Sequence, residues 1–152
     1  METANIDLEF KEATIETFEE KKDKGPTEII NYTDLYEISV ENLNKWLDKK
    51  FYITIPRGLE TISDMQEAGR LLGQLSNDYA YLAMLLSYAK MFVRAEKRKG
   101  KDFKASYEDM IDKRDIIDEM TSVVKMQYQA ISRMITVKQE IQEELNMSKY
   151  QK

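Results

Sequence analysis

The chain has 152 residues, with 28 acidic and 23 basic side chains giving a formal net charge of −5, and it contains neither cysteine nor histidine. Those absences exclude disulfides, thiolate catalysis, Cys-based zinc sites and every Ser-His or Cys-His dyad, along with the commonest general base and transition-metal ligand. Charged residues make up 34% while Gly numbers 5 and Pro 2, a balance that suits long helices joined by few loops better than a compact globule.

Residues 1–26 read as a flexible acidic arm. Positions 1–20 hold seven acids and one base, a net of −6, interleaved with Ile6, Leu8, Phe10, Ile15 and Phe18. Lys21-Lys22-Asp23-Lys24-Gly25-Pro26 then breaks any regular pattern. The stretch Met1–Phe10 is acidic and mixed, unlike a signal peptide, and the longest strongly apolar run, Tyr79–Leu86, is far too short to cross a bilayer. The expectation is a soluble, cytoplasmic protein with no membrane partner.

Residues 27–60 form a connector. Ser39 is placed to cap a short helix through Asp48 that buries Val40, Leu43 and Leu47 beside Trp46. Phe51-Tyr52-Ile53-Thr54-Ile55 reads as one short extended strand, pairing with 28–32 or with a second chain, closed by a turn at Pro56-Arg57-Gly58.

Residues 61–99 give the strongest pattern. A capping box of Ser63 with Gln66, or alternatively of Thr61 with Asp64, opens the segment. Met65, Ala68, Leu72, Leu75, Tyr79, Leu82, Leu86, Ala89 and Val93 then alternate three and four apart, the period of a coiled-coil seam. Gly69 and Gly73 on this helix mark either a tolerated weakness or a close crossing by a neighbouring backbone. Lys97-Arg98-Lys99 suits the negative end of the helix dipole, and Gly100 suits the first position past the helix.

A second long helix follows over 105–147, capped by Ser106 with Asp109. Its stripe runs through Ile117, Met120, Val124, Ile131, Met134, Ile141 and Leu145, with Gln127 and Lys138 as polar members of the seam itself. A connection of about six residues makes the two helices antiparallel. The predicted fold is therefore all-α: a long helical hairpin in a single domain over 27–152, preceded by the arm. The stripe is wider than a two-helix contact needs. The chain is accordingly expected to form a homo-oligomer, through Met65, Leu72, Leu75, Tyr79, Leu82, Leu86, Val93, Val124, Ile131 and Ile141.

Positions 90–104 hold seven bases and two acids, a net of +5. The candidate nucleic-acid-binding residues at this hairpin tip are Lys90, Arg94, Lys97, Arg98, Lys99, Lys101, Phe103 and Lys104, with Phe92 and Tyr107 alongside. Cations hold phosphates, and an exposed ring can stack on an unpaired base. The plain alternative is dipole complementation and a solvated loop. Asp109, Asp112, Asp115 and Asp118 recur every three residues, which turns them progressively off one face of a helix. Glycine-rich phosphate loops, nucleophile elbows and dinucleotide fingerprints are missing from the sequence. No catalytic residue, cofactor or metal site is expected, and the chain reads as a non-enzymatic binding protein.

With the hairpin, Trp46 before it, the basic turn and the Asp-led final helix together, the layout over about residues 40–145 resembles the small UvsY-type recombination mediators of tailed phages. Asp112-Lys113-Arg114-Asp115-Ile116-Ile117 is the local stretch that carries the likeness, and Lys138 stands where that family has a late basic residue. The resemblance implies an all-helical, oligomeric phage protein of the host cytoplasm that binds single-stranded DNA. The rival expectation is a protein-binding factor, either a phage structural component or an inhibitor of a larger protein target, that docks its helices or its acidic arm.

Overall fold

The computed structural model describes residues 25–51, 53, 55 and 58–150. The expected acidic arm lies outside them apart from Gly25 and Pro26. The element order is a 3-10 turn η1 (Tyr32–Tyr36), helix α1 (Val40–Phe51), helix α2 (Ile62–Arg98), a 3-10 turn η2 (Lys101–Phe103) and helix α3 (Lys104–Tyr150). The fold is all-α, with no strand among the described residues.

The chain divides into two compact units, Met1–Trp46 and Leu47–Lys152. The division falls inside α1, some twenty residues beyond the arm–domain boundary expected at 26/27. In the first unit, the Asp34 carboxylate accepts from the Ile30 and Asn31 amides, both at 2.9 Å, and so fixes the approach to η1. These bonds to the ionised form, that from Asn31 foremost, hold the Asp34 carboxyl below the usual carboxylate range. Ser39 caps α1 as expected, its hydroxyl accepting from Asn42 N at 3.1 Å. Leu35, Ile38, Leu43 and Trp46 are buried, while Val40 is only half-buried.

The second unit is the hairpin. Phe51, expected to open a strand, instead ends α1 and is buried. Its ring stacks on Tyr81 of α2 at 5.9 Å between centroids, and the Lys50 ammonium sits 5.2 Å from the Tyr81 ring. An aromatic anchor against a helix satisfies Phe51 without a strand partner. Further on, Gln127 Nε2 donates to the Ile53 carbonyl at 3.2 Å, so a seam side chain of α3 holds the connector.

Thr61, not Ser63, caps α2. Thr61 Oγ1 accepts from Asp64 N at 3.1 Å, and Asp64 Oδ2 accepts in return from Thr61 N at 3.0 Å and Glu60 N at 3.1 Å. The Thr61 backbone bond, then its hydroxyl and the Glu60 amide, hold the Asp64 carboxyl below its ordinary range. Helix α2 then runs 37 residues and packs along α3, which runs 47. At 1.5 Å per residue these are about 55 and 70 Å long.

The contact between them is a heptad seam that keeps Ala68, Leu75, Leu82 and Ala89 of the expected column and shifts by one residue at the positions between them. Ala68, Leu71, Leu75, Leu82, Leu85, Ala89, Phe92 and Glu96 are buried on α2. Asp78, half-buried, completes that three-four alternation. On α3 the matching set is Met110, Lys113, Ile117, Met120, Val124, Gln127 and Ile131. Leu86 and Val93 of the expected column are buried too, and Leu72 is half-buried. The two columns part at 78 and 79, where the carboxylate points inward and Tyr79 stays 40% exposed.

Gly69 and Gly73 do not mark a close crossing within the chain. A β-carbon built at either meets nothing within 4 Å. Gly100, by contrast, has φ 91°, a left-handed value that side chains resist.

Candidate nucleic-acid interface

The last turns of α2 sort their side chains by chemistry. Ala89, Phe92, Val93 and Glu96 are buried, while Lys90, Arg94, Lys97 and Arg98 are exposed. On a helix of 3.6 residues per turn those four cations fall within about 100° of one another, facing away from the seam, over about 12 Å of axis. None forms an ion pair among the described residues. Exposed Lys101 and Lys104 carry positive charge around the turn, with Lys104 3.8 Å from Glu108.

The turn itself is tightly closed. The Lys99 amide donates to Glu96 O at 3.2 Å, Gly100 N to Lys97 O at 3.4 Å, and Phe103 N to Gly100 O at 3.2 Å. Helix α3 starts at Lys104, through η2, so Ser106 and Asp109 sit inside its first turns and do not cap it. The early start follows from the 3-10 turn, which feeds directly into the helix and leaves Ser106 no N-terminus to cap.

Lys99 differs from its neighbours. Its ammonium pairs with Glu96 Oε1 at 2.8 Å and lies 5.5 Å from the Phe103 ring centroid. Glu96 is only 2% exposed, and its other carboxylate oxygen has no partner among the described residues. Lys99 is therefore partly neutralised and steadies the ring, leaving the exposed cations to meet an anion. Phe103 remains 47% exposed. Of its expected aromatic companions, Phe92 belongs to the core, tilted against Tyr88 at 6.3 Å, and Tyr107 is half-buried.

The first turns of α3 carry a series of acids. Asp109, Asp112, Asp115 and Asp118 are all exposed on α3; Asp109 pairs with Lys113 at 2.7 Å and Asp115 with Arg114 at 2.9 Å. Among the described residues no group of three or more acids is arranged to hold a metal ion. Lys113, a member of the resemblance stretch, is buried in the seam at 1% exposure and is removed from any surface role.

Most residues expected at an oligomer interface are occupied inside the chain. Leu75, Leu82, Leu86, Val93, Val124 and Ile131 are buried between the helices, and Met65 and Leu72 are half-buried. Only Tyr79 and Ile141 are exposed, at 40% and 48%. Tyr79 borders a shallow groove of about 290 Å³ with Ser76, Lys125, Tyr128 and Gln129. Sequence reasoning passed over Glu96 as a seam residue; its place seven residues after Ala89 in the 68-75-82-89 series was the available signal.

No family model matches the chain, and neither a curated protein nor a solved structure matches it. No helix among the described residues is long and apolar enough to cross a membrane.

Proposed function

We propose that this chain is a non-enzymatic binding protein whose hairpin tip holds the phosphate backbone of single-stranded nucleic acid. The observation that supports the reading is the row Lys90, Arg94, Lys97 and Arg98, exposed on one face of α2 and extended around the turn by Lys101 and Lys104. Such a row suits phosphates and reads no base edge, so binding is independent of sequence. The half-exposed Phe103 ring, steadied by Lys99, favours unpaired bases, on whose faces it can stack. In this reading the protein is an accessory factor in a cytoplasm, of the kind UvsY-type mediators represent.

Fluorescence anisotropy of a labelled single-stranded oligonucleotide across a salt series tests it. Four phosphate contacts give a slope of about −3 in log K against log salt, and Lys97→Glu with Arg98→Glu reduces it to about half. Both positions are surface residues at a helix end, so the far-ultraviolet circular dichroism stays unchanged. Phe103→Ala weakens binding by about 1–3 kcal/mol and more for single strands than for duplex. Absence of binding to single- or double-stranded DNA or RNA at low salt overturns the reading.

A further inference from the structure

Helix α3 is ten residues longer than α2, 47 against 37, and every residue from Gln139 to Lys149 is exposed. Leu59, Arg133, Met134, Val137, Lys138 and Ile141 line an open groove of about 460 Å³ on its C-terminal half. Beyond the groove the stripe continues at Leu145, and Val137, Ile141 and Leu145 are 47%, 48% and 55% exposed. Half-exposed aliphatic side chains repeating every four residues form a helix stripe without its partner helix.

The charges along this face are arranged for one particular partner. Flanking the stripe, Arg133 stands before Gln139 and the carboxylates Glu140 and Glu144 stand after it on the same side, while Lys149 lies farther out near the helix end. A helix with that order is complementary to its own reversed copy, whereas a parallel copy would set like charges together. We infer that a second copy of this chain docks on the C-terminal half of α3, antiparallel about a two-fold axis near Gln139. This register sets Val137 against Ile141 of the partner subunit and brings Arg133 level with Glu144 of the partner subunit, on the same flank of the contact. Each contact occurs twice, as an isologous interface requires. The inference is independent of the nucleic-acid reading, because the tip lies at the other end of α3 and takes no part in the contact.

Sedimentation equilibrium of the full chain without oligonucleotide is the test. Wild type dimerises in the micromolar range, and Ile141→Asp is monomeric with unchanged helicity. Arg133→Glu alone opposes two carboxylates and Glu144→Lys alone opposes two cations, so each weakens dimerisation by about tenfold. An equimolar mixture of these two variants regains wild-type affinity as a mixed dimer, since both flanking pairs are then opposite in charge. A monomeric wild type, or a mixture no tighter than the separate variants, overturns the inference.

Discussion

Replacing Asp78 by Leu stabilises the hairpin. Asp78 occupies a seam position between Leu75 and Leu82, with its Oδ2 atom buried and unpartnered among the described residues. Loss of solvent raises its pKa, opposed by a hydrogen bond from Gln74 and by the positive charge of Lys50. An unpaired buried polar atom costs about 1–3 kcal/mol, and the half-burial of this side chain puts it at the low end. Burying half of a leucine contributes about 1 kcal/mol more. Attraction to Lys50, screened by solvent, gives back under about 1 kcal/mol. The expected gain at pH 7 is therefore about 1–2 kcal/mol, or a rise of about 1 M in the urea midpoint of the circular dichroism transition. The sign of the pH dependence follows from the raised value. The part of the penalty due to charge is present while Asp78 is ionised, shrinks as pH falls through its folded pKa, and is gone below the ordinary 3.8. The gap between Asp78→Leu and wild type must narrow along that path. A variant no more stable than wild type at pH 7, or a gap independent of pH, refutes the reasoning.

Gly69→Ala and Gly73→Ala each stabilise α2 by up to about 1 kcal/mol in urea unfolding, because both sites are open and helical; a loss would mean that another backbone crosses there. Gly100→Ala destabilises by roughly 1–2 kcal/mol in the same assay, as its φ of 91° lies in the left-handed region. Leu82→Ala, at 0% exposure in the seam, costs about 2–5 kcal/mol and lowers the thermal midpoint. Lys99→Met leaves the phosphate row intact but frees Phe103, so it lowers single-strand affinity while changing the salt slope by less than Lys97→Glu with Arg98→Glu.

Both long helices were legible because their evidence is repetitive: a sustained three-four alternation, no internal proline, and a glycine after three consecutive cations. The Ser39 cap was legible for a similar reason, since a short polar side chain before an amphipathic run has few other uses. What escaped was the column of the seam. Leu71 and Leu72, Leu85 and Leu86, and Phe92 and Val93 are adjacent apolar pairs, so either column satisfies the period. At 78 and 79 apolar character alone favours Tyr79 over the charged Asp78, yet the hairpin buries a carboxylate oxygen of Asp78 and leaves the amphipathic tyrosine 40% exposed. Phe51 was misjudged because β-propensity reports a packed environment more than a backbone preference, and a stacked ring on Tyr81 supplies that environment at a helix end. At the tip, the basic residues were apparent from charge alone, but the division of labour between Lys99 and its neighbours was not, since it depends on Glu96 turning inward.

The separation of the tip from the tail of α3 has a consequence for valency. Some 38 residues of helix lie between Lys101 and Gln139, or about 57 Å at 1.5 Å per residue. Two chains joined near Gln139 would hold their tips roughly 110 Å apart, facing outward. A short oligonucleotide then reaches one tip and gains nothing from the second, because the effective concentration at the far tip is close to zero until the ligand can span the gap. A duplex covers that span in about thirty base steps, and a single strand, the ligand proposed for the tip, covers it when its extended length matches the gap. Affinity plotted against ligand length would show a step there, set by helix geometry and not by any contact at the tip.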